Sequence, residues 1–151
     1  MVVKLTPDNL KEKLRCRRIG SEIVVFDSTA STNDVAAEYA RNKDNDGLVI
    51  FAEHQTAGRG RSGSRWFASK GGSILFSVVL CGIEFPPELL SLCSAVAVTE
   101  ALGTVGRQQA RIKWPNDILL GGKKVAGILV ESREYGYGQG HIIGVGVNCN
   151  Q

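Results

Sequence analysis

Paired cysteines, long apolar runs and aromatic residues are all scarce in this 151-residue sequence. The four cysteines, Cys16, Cys81, Cys93 and Cys149, form no C-x-x-C pair, so their spacing indicates neither a zinc site nor a disulfide framework. We therefore predict reduced and mostly buried thiols. No apolar run reaches the roughly 18 residues of a membrane helix, and the first five residues lack the apolar region of a signal peptide. The sequence thus predicts a cytoplasmic protein without a membrane partner.

Composition places the chain among globular proteins, since 43% of its residues are hydrophobic and 22% are charged. This length and composition predict about one domain with a hydrophobic core. The net charge of +3 is modest, but the basic residues are unevenly distributed. They form two groups, one with Lys11, Lys13, Arg15, Arg17 and Arg18, the other with Arg59, Arg61 and Arg65. We expect the first group to be a solvated helix face.

Helix and strand patterns alternate along the first two thirds of the chain, and short strands follow one another in the last third. Thr6, Pro7 and Asp8 predict a helix start, and Ser31 with Asp34 predicts a capping box. Helices are predicted over about 6–15, from 31 to 40 and from 86 to 103, and strands over 23–26, 48–52, 72–80, 111–114, 118–120, 124–132 and 141–149. This order predicts an α/β or α+β fold with a mixed sheet flanked by helices.

The last predicted strand has one unusual face. Gly144, Gly146 and Asn148 alternate with apolar residues and therefore share a side of the strand. Two glycines and an amide make a poor core surface, but they leave room for a ligand to approach the backbone.

A loop rich in glycine and arginine follows the second predicted strand. It contains Gly58, Gly60 and Gly63 at the spacing of a dinucleotide-binding fingerprint, but no helix pattern follows, so the sequence disfavours that function. Arg59 and Arg61 would project to the same side of an extended segment, where both could bind one oxyanion. The alternatives are a solvated basic loop or a segment that grips nucleic-acid backbone. An aromatic fraction of 7% counts against base stacking.

Five motifs in order along the chain resemble those of the biotin protein ligase family. They are Ser31-Thr32-Asn33, the Gln55 to Arg61 loop, Lys113-Trp114-Pro115-Asn116-Asp117, the segment from Lys123 to Glu131, and Gly144-Val145-Gly146-Val147-Asn148. Each motif alone is weakly specific, but five in order are strongly so. The resemblance covers about residues 23–150 and implies a class II aminoacyl-tRNA-synthetase-like catalytic domain.

This resemblance implies a lead segment over 1–20 with a short helix, and a catalytic domain over 21–151 that lacks its C-terminal part and the family's small β-barrel domain. It implies activation of biotin by ATP to biotinyl-5′-AMP, then transfer to a lysine of a biotin carboxyl carrier domain of acetyl-CoA carboxylase or a related carboxylase. Mg2+ is expected with the ATP, and its ligands are undetermined. Edge-strand homodimers are compatible with this fold, and nothing in the lead segment predicts binding to DNA.

The resemblance also assigns residues to the biotin site. Biotin binding is assigned to Ser31, Thr32, Asn33, Gln55, Arg59, Gly60, Arg61, Lys124 and Gly127. Polar groups among them would bind the ureido ring, as small-molecule sites combine a few polar groups with apolar walls. For Ser31 and Thr32, helix capping is an equally good reading.

The nucleotide and the chemistry are assigned to an overlapping set. ATP or adenylate binding is assigned to Arg59, Arg61, Trp66, Lys113, Asn116 and Asn148, and catalysis to Arg61, Lys113, Lys124 and Asp117. The cations would stabilise phosphate charge during adenylation, and Asp117 would help deprotonate the acceptor amine. The alternatives are surface lysines at strand ends and, for Asp117, a turn residue.

Three other functions stay open at this point. The first is a lipoate or octanoate ligase on a similar fold, the second is an inactive biotin-binding fragment, and the third is a nucleic-acid-binding domain that uses the arginine-rich loop.

Overall fold

A computed structural model describes residues 4–106 and 109–150, so the predictions that touch residues 1–3 and 151 lie outside the described residues. Within those ranges the chain forms a seven-stranded sheet of order β1-β2-β3-β7-β6-β5-β4. β1 and β2 are parallel and the other neighbours antiparallel, which confirms the predicted mixed sheet. The strands are β1 (Ile23–Phe26), β2 (Val49–Ala52), β3 (Ser73–Cys81), β4 (Ala110–Lys113), β5 (Asp117–Leu120), β6 (Lys123–Tyr135) and β7 (Gly138–Asn148).

The described α-helices are α1 (Pro7–Lys11), α2 (Thr32–Tyr39) and α3 (Pro87–Val105). Thr6 caps α1 as predicted, because its hydroxyl accepts a hydrogen bond from the Asn9 amide at 3.2 Å. The helix stops four residues before the predicted end, since it buries no residue and a run of like charges follows it. α3 continues past Gly103, the predicted end, to a C-cap at Gly106.

The two longer helices cover opposite faces of the sheet. Val78 and Leu80 of β3 belong to the cluster that includes Ala95 of α3, while Val79 packs with Ala36 of α2. Because neighbouring residues of a strand point to opposite faces, the sheet lies between α2 and α3. The same alternation places the faces of β6 and β7 as well.

α3 has 19 residues and an 18-residue window of mean hydropathy 1.4, so it is long and apolar enough to cross a membrane by length and composition alone. The sequence had predicted no such segment. In the structure α3 packs along β4, β5, β6 and β7. Its outward face remains apolar and exposed at Leu89 and Val96.

The four cysteines are unpaired, as predicted from their spacing. The prediction that they are mostly buried is wrong, because Cys81 is buried and Cys16, Cys93 and Cys149 are exposed. Cys81 ends β3 under the α2 cluster, whereas Cys93 lies on the outward side of α3.

Candidate functional site

A cavity of about 190 Å3 opens on the α2 face of the sheet, between the start of α2, strands β5 to β7 and the segment Gly58 to Trp66, here called the arginine loop. The structure brings twelve of the predicted residues together around it: Ser31, Thr32, Asn33, Gln55, Arg59, Gly60, Arg61, Trp66, Asn116, Asp117, Lys124 and Gly127. Gly144 and Gly146 of the last motif line it as well, so residues from all five motifs form one site.

The floor of the cavity is built from glycines, but protein side chains fill the space above them. A Cβ on Gly144 would overlap the Asn33 amide, and a Cβ on Gly146 would lie 2.6 Å from Cε2 of Trp66. Gly127 is similarly close to the indole, at 2.8 Å from Cζ3. The glycine face was predicted to leave space for a ligand, and in this structure the side chains of Asn33 and Trp66 occupy that space.

Polar groups at the start of α2 form a connected hydrogen-bond network. Gln55 Oε1 accepts from the Thr32 amide at 2.7 Å and from its hydroxyl at 3.0 Å. The buried Ser77 hydroxyl lies 2.7 Å from Thr32 Oγ1 and 2.6 Å from Asn33 Oδ1. These bonds fix three of the predicted ring-binding side chains and leave the Gln55 amide nitrogen facing the loop at Gly58.

Ser31 behaves differently from the prediction of a capping box. It occupies the N-cap position of α2, but its side chain makes no capping hydrogen bond, and Asp34 pairs with Arg59 instead. Ser31 is only 3% exposed and lines the cavity, so its hydroxyl is available to a ligand.

The two arginines of the loop do not converge on one point as predicted. Arg59 donates to Asp34 at 2.8 Å and to Glu131 at 3.1 Å, whereas Arg61 donates to Asn116 Oδ1 at 3.2 Å. They diverge because Arg61 begins a short 3₁₀ turn, Arg61–Gly63, in which Ser62 is left-handed with φ 53°, so the alternation of an extended segment ends there. Burial lowers the pKa of Arg59, but its hydrogen bond to Asp34 and the charges of Glu131 and Asp34 outweigh that effect and hold the pKa above its ordinary value.

Lys124 and Asp117 form an ion pair of 2.8 Å at the opposite wall of the cavity. The Lys124 ammonium also lies 5.4 Å from the centroid of the Trp66 ring, within cation–π range. Trp66 Nε1 is buried and, within the described residues, has no hydrogen-bond partner. A buried donor of this kind is costly unless a ligand or water accepts from it.

Of three residues predicted to bind the nucleotide, one lines the cavity and two lie outside its lining. Asn116 lines the cavity, but its amide nitrogen donates to the Ile128 carbonyl at 2.9 Å and ties the turn between β4 and β5 to β6. Lys113 is exposed at the end of β4, outside the cavity lining. Asn148 accepts from Ser73 at 3.1 Å and also lies outside it. Their roles toward a nucleotide stay predictions.

Sequence reasoning missed three residues that organise this site: Asp34, Ser77 and Glu131. Asp34 was assigned only to helix capping, and Glu131 was noted only as the end of a motif. Ser77 had a visible signal, because it shares a strand face with the buried Leu75 and Val79 and is the polar residue between them.

In the described part of the chain, no three histidine, cysteine or acidic side chains cluster so that they could hold a metal ion. The carboxylate nearest the cationic wall, Asp117, is already paired with Lys124. The described residues therefore do not form a ready-made metal site.

Comparison with known proteins gives concordant matches in sequence and structure. The sequence model of the biotin/lipoate A/B protein ligase family matches residues 25–148. The bifunctional ligase/repressor BirA of Bacillus spizizenii is 37% identical over 98% of this chain and 46% of its own length. The biotin–[acetyl-CoA-carboxylase] ligase of Mycobacterium tuberculosis is 37% identical over 98% of this chain and 59% of its own. The chain thus spans about half the length of the curated relatives it matches.

The fold is similar to that of the biotin protein ligase from Aquifex aeolicus in complex with biotin and ATP. The TM-score is 0.72 at 31% identity, covering 87% of this chain and 53% of that one. The agreement includes the mixed sheet and its flanking helices, as expected for the class II aminoacyl-tRNA-synthetase-like catalytic domain of these enzymes. Since the family's sequence model covers most of the chain and the folds agree, the chain belongs to the biotin/lipoate A/B protein ligase family.

Proposed function

We propose that this chain carries the active site of an ATP-dependent ligase that converts biotin to biotinyl-5′-AMP and transfers the biotinyl group to a lysine of a biotin carboxyl carrier domain. The observation that carries the proposal is the division of one cavity into two walls. One wall holds uncharged hydrogen-bonding groups at the buried Ser31 and Thr32 and at the half-buried Gln55, and the other holds the cations Arg61 and Lys124.

The uncharged wall favours biotin over lipoate as the acid that is activated. A ureido ring has a carbonyl acceptor and two N–H donors, which match the Ser31 hydroxyl and the Gln55 side chain. A dithiolane ring has no such groups, so lipoate would leave buried polar atoms unpaired. Sites built to bond polar groups reject analogues that lack them.

The cationic wall suits the adenylation step. A biotin carboxylate oxygen attacks the α-phosphorus of ATP, a new O–P bond forms, and the bond to pyrophosphate breaks with pyrophosphate as the leaving group. Negative charge accumulates at the phosphorus oxygens, where Arg61 and Lys124 can both donate. Arg61 is exposed and held by a single neutral amide, so it is free to turn to the phosphate.

Transfer to the acceptor requires a neutral amine, and a free lysine has a pKa near 10.4. Asp117 forms an ion pair with the Lys124 ammonium at 2.8 Å in this structure. Once Lys124 turns to the adenylate phosphate, the acceptor ammonium can replace it at Asp117, which holds the amine beside the mixed anhydride and takes its proton. The amine then attacks the carbonyl carbon, and AMP leaves.

Several finer statements belong to this proposal and rest on the resemblance. Trp66 would stack on the adenine or cover the adenylate, Lys113 and Asn148 would contact the nucleotide, and Mg2+ would accompany ATP. The carrier domain as acceptor, the absence of a nucleic-acid partner, the homodimer, the cytoplasmic location and the division into segments 1–20 and 21–151 stay predictions.

The proposal is tested by Arg61→Ala in the assay of biotin-dependent exchange of labelled pyrophosphate into ATP. We expect exchange to fall at least about 100-fold, as when one preorganised donor to a developing oxyanion is removed. Arg133→Ala, at an exposed position of β6, is the matched control and should keep full exchange. Exchange that survives in Arg61→Ala would remove the loop from the mechanism.

Calorimetric titration of the unsubstituted chain with biotin and with lipoate separates the remaining alternatives. Heat with biotin and pyrophosphate exchange support the ligase. Heat with biotin without exchange would identify a biotin-binding fragment, and heat with lipoate alone would identify a lipoate ligase. Steeply salt-dependent binding of RNA without affinity for biotin would favour a nucleic-acid-binding domain.

A further inference from the structure

Glu131, on the cavity face of β6, connects two parts of the site that belong to different segments. Its Oε2 accepts from Asn33 Nδ2 at 2.6 Å and from Arg59 at 3.1 Å, and its Oε1 lies 3.3 Å from the same guanidinium. The carboxylate thus links the start of α2 to the arginine loop. Its side chain keeps 28% of its exposure, so the link lies at the edge of the cavity.

Arg59 is held from two sides. Its NH2 donates to Glu131, and its NH1 donates to Asp34 at 2.8 to 2.9 Å. Two carboxylates around one guanidinium leave a net negative charge, which makes this arginine a poor receptor for a phosphate. Arg61, two residues later, contacts a neutral amide and keeps its full charge. The two loop arginines therefore have different tasks.

The loop itself is a short hairpin that needs side chains to hold it against the body. Its backbone closes through the Gly60 amide to the Ser64 carbonyl at 2.8 Å and the Trp66 amide to the Gly58 carbonyl at 2.9 Å. Its contacts with the rest of the site come from Arg59, Arg61 and Trp66. Of these, Arg59 makes the bonds to carboxylates, in which donor and acceptor are both charged and which are the strongest class.

Glu131 also determines the orientation of the Asn33 amide. Asn33 Oδ1 faces the Ser77 hydroxyl at 2.6 Å, and its Nδ2 faces the carboxylate. A carboxylate accepts only, so it selects the amide rotamer whose NH2 points toward it.

We propose that Glu131 is a positioning residue that fixes the arginine loop over the cavity through Arg59 and fixes the Asn33 amide with the same carboxylate, so that the two parts of the site form together. This inference rests on the proposed biotin-activating function. Arg59 accordingly holds the loop in place, and Arg61 binds the reacting anion.

Tryptic cleavage in the ligand-free protein tests the proposal without any assumption about the substrate. The loop offers three sites, after Arg59, Arg61 and Arg65, and cleavage reports how often the loop opens. Glu131→Gln keeps the shape but removes the charge, so we expect cleavage after Arg61 and Arg65 to accelerate at least about five-fold. Cleavage after the exposed Arg41 serves as the reference and should not change.

Two further variants keep the test decisive. Glu134→Gln, at an exposed position of the same strand, should cleave like the unsubstituted protein. Arg59→Gln removes this contact together with the one to Asp34, so cleavage after Arg61 and Arg65 should accelerate at least as much as in Glu131→Gln, and the double variant should cleave like Arg59→Gln alone. Loop cleavage that is unchanged in both single variants, or that rises in parallel with cleavage after Arg41, overturns the proposal.

A second readout separates positioning from general packing. Calorimetry should show weaker biotin binding in Glu131→Gln by about ten-fold, and a double-mutant cycle with Arg59→Gln should show less than additive losses. Additive losses would overturn the coupling. Normal loop protection in a protein that binds no biotin would reject the proposed function while leaving the role of Glu131 intact.

Discussion

The cavity and the opposite end of the sheet both contain networks of polar groups, but the groups are paired in different ways. At the far end Asp46 accepts from the Cys81 backbone amide at 2.8 Å and from Arg18 at 2.7 Å, and the Tyr137 hydroxyl donates to the Ala40 carbonyl at 2.6 Å. We call Arg18, Asp46, Cys81 and Tyr137 the distal cluster. Backbone groups anchor two of its members.

In the cavity the partners are mostly other side chains. Glu131 with Asn33, Lys124 with Asp117, and Arg61 with Asn116 are all pairs that rotation of one side chain can separate. A side chain can exchange its partner for a ligand, whereas a strand amide cannot turn away without breaking the sheet. The difference is the one we expect if the cavity receives a ligand and the distal cluster only stabilises the fold.

Among the tests of this comparison between the two regions, the largest effect is expected at the floor of the cavity. Gly146→Ala places a Cβ 2.6 Å from the Trp66 ring, which must leave its position over β7. We expect biotin affinity to fall at least about ten-fold, which corresponds to about 1.4 kcal/mol, and the tryptophan emission to shift to the red. Calorimetry and fluorescence measure the two effects.

Gly103→Ala is the control for this substitution, since no atom lies within 4 Å of the added Cβ and the position is helical. It should keep biotin affinity and gain stability. An emission shift in Gly146→Ala with full biotin affinity would contradict the assignment of this floor to the ligand.

A smaller effect is expected for Asp46→Asn in the distal cluster. Because the pair with Arg18 is partly exposed, at 53% and 28% for the two side chains, its loss should lower the free energy of unfolding by only about 0.5 to 1 kcal/mol at pH 7. Biotin affinity should stay unchanged. Urea denaturation and calorimetry provide the two measurements.

The pH dependence of this effect has a definite sign. Burial raises the pKa of Asp46, but hydrogen bonds from Arg18 and the Cys81 amide outweigh it, so the pKa lies below its ordinary value of 3.8. The stabilisation is therefore complete above about 3.8 and is lost as the pH falls through the lower folded-state pKa. The difference in the free energy of unfolding between Asp46→Asn and the unsubstituted protein should therefore disappear in acid. Asp44→Asn, at an exposed site nearby, should have the same free energy of unfolding as the unsubstituted protein.

The smallest effect concerns labelling and leaves activity untouched. Burial, chiefly, raises the pKa of the Cys81 thiol, and the residue is 4% exposed. Iodoacetamide should add three groups to the native protein at neutral pH and four in urea, because the thiolate is the reactive form. Mass spectrometry counts them. A fourth rapid addition to the native protein would mean that the distal cluster opens as readily as the cavity.

Sequence patterns predicted most of the fold because they depend on local periodicity. The alternation of β3, the strand at 23–26 and the start of α2 all follow from residues within a few positions of one another. The end of α1 was predicted wrongly, since helix propensity without a buried face does not sustain a helix.

Membership in the site was predictable from the motifs, but the partners within it were not. Arg59 and Arg61 have the same residue type and lie two positions apart, yet one is bound by two carboxylates and the other by an amide. The sequence contains no sign of that division, because Asp34 and Glu131 are 25 and 72 positions away from Arg59.

The sequence by itself determined the mixed sheet, the glycines of the cavity floor and the set of polar residues that meet there, because these depend on residue type and local pattern. The tertiary structure decided which polar groups of the cavity are paired with each other, which are accessible to a ligand, and which side chains cover the glycines. Those outcomes depend on distances between segments that are remote in the chain, and the sheet order that brings β6 and β7 beneath α2 and the arginine loop sets those distances.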